Sequence, residues 1–178
     1  MNIALLILRL VVGALFVGHG TQKLFGWFGG YGLRGFGGFY ASIGLRPGPP
    51  MAGLAGVTET AGGVLLLLGF LTPLGSAMII GVMTVAILAV HAEKGLWNSD
   101  GGFEFPLTLV AVAAALAFAG PGAFSIDHAI GAGVSGSGFG IAATLLGILT
   151  GLGMNAYRME RLRRGAEVPA GGEERRAA

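Results

Sequence analysis

The chain has 178 residues, of which 53% are hydrophobic and only 11% charged, against about 25% charged in a soluble domain. That balance excludes an ordinary water-facing surface and fits a protein whose outer surface meets lipid. The absence of cysteine removes disulfides, thiolate catalysis and Cys-ligated clusters, and the net charge of +2 gives no footprint for a nucleic acid.

Five apolar segments follow in order. The first, Asn2 to about Trp27, has no basic leader ahead of its apolar run and carries Arg9 inside it, so it reads as a helix that stays in the membrane and not as a signal peptide. At 100° per residue Arg9, Gly13, Phe16, Gly20 and Lys23 share one stripe, with His19 a quarter turn away. A polar stripe in a membrane-length helix is expensive and marks a functional site by default. Residues 28–50 form a loop with five aromatic residues, among them Phe36, Phe39 and Tyr40. It reads as an interfacial re-entrant stretch or short helix, with a lid over a site between the helices as the sharper alternative.

The second segment, about Met51 to Leu71, opens after RPGPP, and proline is tolerated in a first helical turn. Thr72-Pro73 marks a tight turn into the third, about Leu74 to Ala92. The loop Asn98 to Gly102 (NSDGG) leads to the fourth, about Phe105 to Ala119, which is short for the roughly 20 residues a span needs. Gly120-Pro121-Gly122 ends it. A Gly- and Ser-rich link precedes the fifth, about Phe139 to Tyr157. Six of the 11 Lys and Arg follow, and the residues from 158 to 178 read as a basic, disordered tail. Thirty-five glycines without a G-X-Y period suit close helix packing and loops.

Alternating spans place the first and third loops on one side of the membrane. His19 and Lys23 lie near that end of helix one, and His91 ends helix three there. Glu104 begins helix four on the same side. Glu59 lies about 13 Å deep from that side, at 1.5 Å per residue, with Gly56, Gly62 and Gly63 on its own face. A carboxylate at this depth pairs with a cation or is protonated, and His19 and Lys23 are its natural partners. The set suits proton handling beside a small redox ligand: His or Lys donates to a quinone oxygen and a carboxylate relays protons. A structural ion pair that fixes helix register is the other reading of Glu59. No His or Glu pair has metal-ligand spacing on one helix, so no metal is expected. At the opposite end Arg9 and Asp127 are expected to form a structural ion pair clasping helices one and four. Glu93, Lys94 and Asp100 read as solvated loop charges.

Arg9, His19-Gly20, Lys23, Glu59-x-x-Gly62-Gly63, His91, Glu104 and Gly120-Pro121-Gly122 to Asp127 together resemble the DoxX family of small membrane proteins, over about Ile3 to Ile130. The resemblance implies a four-helix integral membrane protein within residues 1–157. The fifth segment and the Arg-rich tail depart from it, so the expected fold is an all-α membrane bundle of four core helices plus a fifth. Some family members are subunits of thiosulfate:quinone oxidoreductase or belong to membrane redox complexes. The resemblance thus implies a quinone-linked redox subunit with thiosulfate as one donor and partner subunits or further copies around it. His19, Lys23, Glu59, His91 and Glu104 would line the catalytic pocket, with His19, Lys23 and His91 on the quinone. A non-catalytic scaffold for soluble redox enzymes stays open, as does a small-solute transporter, although no inverted repeat is evident. With five spans, the loop cations and the tail share one side, which predicts an external N-terminus and a cytoplasmic tail.

Overall fold

A computed structural model describes residues 1–167. Those residues are helices and connecting turns, without a strand among them. α1 (Asn2–Phe25) ends at Gly26, whose φ of 74° lets the chain turn off the helix. A short turn then leads into α2 (Gly32–Ser42), the helical form of the aromatic loop. α3 (Gly48–Leu68) carries prolines in its first turn and closes on Gly69 at φ 59°. α4 (Thr72–Ala86) continues through a π-helical turn, Ile87–His91, and a final 3-10 turn, Ala92–Lys94. α5 (Glu104–Ala119), the four-residue α6 (Ile126–Ala129) and α7 (Ser137–Glu167) complete the fold.

Four stretches are long and apolar enough to cross a membrane: α1, α3, the continuous run Thr72–Lys94, and α7. The fifth segment of the sequence is therefore one of the four full-length spans. α5, expected among the core four, has 16 residues and rises only about 24 Å. α7 also corrects the expectation of a disordered tail from residue 158, because it stays helical to Glu167. Arg and Glu are good helix formers, and Glu160 and Arg164 pair one turn apart. Residues 168–178, with Arg175 and Arg176, lie outside the described residues.

Close approach of backbones holds the bundle, as expected where lipid removes the hydrophobic drive between helices. α1 and α3 meet at paired glycines. A Cβ on Gly13 would stand 2.7 Å from the Gly63 carbonyl, and one on Gly63 would stand 2.6 Å from the Gly13 carbonyl. Gly20 and Gly56 repeat the pairing two turns away, and Gly62 of α3 faces Gly75 of α4. The core between these contacts is apolar: Val12, Phe16, Leu66, Ile79, Ile80 and Leu116.

α7 runs antiparallel to α5 and returns to the end that α2 covers. There the Arg158 Nε–H donates to the Ile43 carbonyl at 2.6 Å, the Tyr157 hydroxyl donates to the Arg46 carbonyl, and Leu162 packs over Gly44. The start of α1 lies at the other end, where the Ala123 N–H donates to Asn2 Oδ1 at 3.2 Å. The first residue and the basic end of α7 are thus on opposite ends of the bundle, as five alternating segments require.

Candidate functional site

A cavity of about 640 Å³ opens among α1, α2, α3, α4, α5 and α7. Its wall is mostly apolar, and its polar groups are few. His19 and Lys23 come from α1, Tyr40 from α2, Thr58 and Glu59 from α3, His91 from the end of the α4 run, and Thr150 from α7. Of the five residues expected to converge, four do so.

Glu59 is buried, at 3% exposure, and its Oε2 accepts from Lys23 Nζ at 2.5 Å. α1 and α3 bring them together because Gly20 and Gly56 let the two helices touch one turn away. The Lys23 ammonium also lies 5.4 Å from the centre of the Phe36 ring on α2, within cation–π range. The pair is thus enclosed on the α2 side by an aromatic ring and faces the cavity. Burial, and after it the Glu59 carboxylate, hold the Tyr40 phenol above its usual range. Its hydroxyl is therefore a neutral donor on the cavity wall. His19, four residues before Lys23, stands on the same wall and is exposed.

His91 ends the π-helical turn, a departure from α-geometry that recurs at functional sites. Its Nδ1–H donates to the Gly101 carbonyl at 2.7 Å. That bond assigns the tautomer from geometry and leaves Nε2 as the acceptor in the neutral ring. The third loop thereby fixes the ring that lines the cavity.

Glu104 is not part of this site. It is exposed, and its Oε2 accepts from the Asn98 N–H at 3.0 Å, bracing the third loop. The expectation placed it correctly at the shared end of the bundle, but the first residue of α5 turns toward its own loop. The expected Arg9–Asp127 ion pair is also corrected. Among the described residues the ion pairs within 4.0 Å are Lys23–Glu59 and Glu160–Arg164. Arg9 donates from Nη1 to the Leu66 carbonyl at 3.3 Å and from Nη2 to the Phe124 carbonyl. Asp127 accepts from the Leu71 N–H at 2.8 Å, and from the Thr72 N–H and hydroxyl at 3.0 Å each. Each bonds to backbone instead: the cation to the C-terminus of α3 and to the link between α5 and α6, and the anion to the N-terminus of α4, the helix-end contacts being those the dipoles favour.

Tyr40, Phe36 and Phe39 line the cavity although the pattern of polar residues does not point to them. Their i, i+3, i+4 spacing from Phe36 is a helical face, and it could have marked α2 as a wall of the site. Of the two readings of the aromatic loop, the short helix is what forms, and Phe36, Phe39 and Tyr40 on it line the cavity. Thr58 and Thr150 carried no signal in the sequence beyond their neighbours. Among the described residues no group of three His, Asp or Glu is placed to hold a metal ion.

The DoxX family model matches residues 4–92, the first half of the chain. The match runs from the first turn of α1 to Ala92, near the end of the α4 run, and takes in His19, Lys23, Tyr40, Glu59 and His91. α5 and α7 lie beyond it. No curated protein and no solved structure matches the chain.

Proposed function

Since this chain belongs to the DoxX family and is a multi-pass membrane protein, we propose that it serves as the membrane subunit of a quinone-linked redox system. The observation that carries this reading is an ion pair of the half-buried Lys23 with the buried Glu59, facing a cavity of about 640 Å³. The volume falls within the roughly 300–1,000 Å³ of small-molecule sites, and a mostly apolar wall with a few convergent polar groups is what such sites have. The residues fit a quinone. Tyr40 O–H and Lys23 N–H can donate to a ring oxygen, and the cavity wall can take an apolar ring and tail.

A quinone accepts two electrons and two protons when it is reduced. The chain's own contribution is to bind the ring, to exclude water behind the α2 wall, and to hold a proton at Glu59 within reach of the ring oxygen. Lys23 Nζ donates to Glu59 Oε2 and is the partner the carboxylate would release on taking up a proton. The two electrons come from a sulfur donor such as thiosulfate, oxidised on a partner subunit, and the two protons come from water and reach the ring oxygens one after the other through Glu59. The decisive test is thiosulfate-dependent quinone reduction by membranes containing the protein. Glu59→Gln is expected to lower turnover by about 10²–10⁴-fold, the usual contribution of a positioned acid or base. Unchanged turnover would reject the role.

The basic end of the bundle faces the cytoplasm in this reading. Eight of the nine Lys and Arg in the described residues lie at the α2 end, and only Arg9 lies at the other, the asymmetry that sets orientation. Reporter fusions after Ala178 and at Gly133 should report cytoplasm and exterior respectively. Cytoplasmic signals from both would reject it. The exposed Arg161, Arg163 and Arg164 on the end of α7 favour one second reading, a scaffold that holds soluble redox enzymes. Co-purification of such enzymes that survives Glu59→Gln but not removal of the α7 end would support it.

A further inference from the structure

The methionines of this chain are not distributed like its other apolar residues. Four of the six, Met51, Met78, Met83 and Met154, line the cavity, whereas only five of the 25 leucines do. They come from three helices, α3, α4 and α7, so no single helical stripe explains them. All four are half-buried, and none belongs to the fully buried core, which Leu, Ile, Val, Phe and Ala fill. Many leucines instead point outward, Leu8, Leu15, Leu68, Leu145 and Leu149 among them. Of the remaining methionines, Met1 starts the chain and Met159 is exposed on α7.

The two side chains differ in what they do to a wall. Leucine holds a fixed branched shape. Methionine has three rotatable bonds and a polarisable sulfur, so it re-forms around different occupants and makes favourable contacts with aromatic rings. The same wall carries the rings of Phe16, Phe36, Phe39, Tyr40 and Phe105. Rings on some sides and flexible thioethers on others suit a flat, conjugated ligand, and they do not impose one ring outline.

We infer that this cavity accepts planar conjugated rings of differing size and substitution, with the four methionines setting that breadth. The inference deepens the quinone reading and rests on it only for the choice of two probes. A rigid apolar pocket discriminates by about 10–200-fold for a single methylene, so a difference of a whole fused ring is a demanding comparison.

The experiment uses the full chain in lipid nanodiscs, with calorimetric titration corrected by empty nanodiscs. The probes are tetramethylbenzoquinone and methylnaphthoquinone, then the redox-inert dimethyl ethers of their reduced forms. Within each pair the two dissociation constants should differ by less than about tenfold in the native protein. Replacing the four methionines together by leucine, a volume-conserving change, should widen that ratio by about tenfold or more, while Met159→Leu should leave it unchanged. If the ethers bind with matched affinities and the quinones do not bind, the quinone reading falls and this inference stands. Ring-size discrimination of about a hundredfold or more in the native protein overturns the inference and leaves the quinone reading intact. So does a ratio that the four substitutions do not move. Absence of binding by all four probes overturns both. Should the fourfold variant fail to fold, Met78→Leu with Met154→Leu repeats the test, and the native comparison stands without any variant.

Discussion

At one end of the bundle Arg9 and Asp127 are both buried, and at the other a buried Glu59 meets a half-buried Lys23. The ingredients are the same, a cation from α1 and a carboxylate from a later segment. The use made of them differs. Arg9 and Asp127 bond to backbone carbonyls and N–H groups where α3 ends and α4 begins, and Arg9 also to the Phe124 carbonyl in the link between α5 and α6. Their charges are committed to holding a turn. Lys23 and Glu59 bond to each other, and both face a cavity. A charge whose partner is another mobile side chain can change partner or protonation state when a ligand arrives, whereas one tied to a helix end cannot without unfolding the turn. Burial of charge therefore identifies neither end as functional by itself, and the identity of the partner separates them.

The largest expected effect tests the cavity end. Glu59→Gln keeps the shape and removes the titratable group, so quinone-dependent turnover per folded molecule should fall by about 10²–10⁴-fold, and the thermal midpoint in mild detergent should fall as well because Lys23 loses its counter-ion. A matching change at the other end, Asp127→Asn, should lower the midpoint and leave turnover per folded molecule unaltered. If both variants lose turnover alike, the distinction between the two ends is wrong.

The next effect concerns stability. Lys23→Met strands a buried carboxylate and should cost about 3–5 kcal/mol, and replacing Glu59 by Leu in the same chain should recover most of that, since an ion pair and an apolar pair of similar volume are often close in stability. Arg9→Met combined with Asp127→Leu should not recover anything, because their partners are backbone groups that stay buried and unsatisfied. Reversible unfolding of the single and double variants at both ends measures this. Rescue at the Arg9 end would show that the two side chains do act on each other.

Much of this arrangement is legible in the residues. Segment lengths and the breakers RPGPP, Thr72-Pro73 and Gly120-Pro121-Gly122 place the first four apolar helices and the start of α7 within a few positions. Alternation of spans then brings His19, Lys23, Glu59 and His91 to one end, and the glycines beside Glu59 announce the close approach of α1 that lets Lys23 reach it. Alternation fixes an end but not a direction, which is why Glu104 arrives at the right end and faces its loop. It also assigns Arg9 and Asp127 to the same end without revealing that helix termini compete for them. Composition read the Arg-rich stretch after Tyr157 as disordered, although its residues favour helix and Arg158 is held by the Ile43 carbonyl. The cavity itself has no sequence signal until the methionines and the α2 rings are seen to face one space.

Two smaller effects probe the α3–α4 turn. Asp127→Ala leaves the Leu71 and Thr72 N–H groups and the Thr72 hydroxyl without their acceptor. Leaving buried donors unpaired should lower stability by about 2–3 kcal/mol. The smallest effect is opposite in sign. Leu71 sits at φ 46°, a left-handed conformation that costs a branched residue about 1–2 kcal/mol, and its side chain is 41% exposed, so little packing is lost on removing it. Leu71→Gly relieves that conformation but gains freedom in the unfolded chain worth about 0.5–1 kcal/mol, so a net stabilisation of about 0.5 kcal/mol is expected. The Leu71 N–H donates to Asp127 Oδ1 at 2.8 Å, and this bond is expected to hold the residue there. In an Asp127→Ala background the turn can relax, and the gain from glycine should vanish. An equal gain in both backgrounds would mean that the strain at Leu71 is imposed by the packing of α3 on α4, and that Asp127 only follows it.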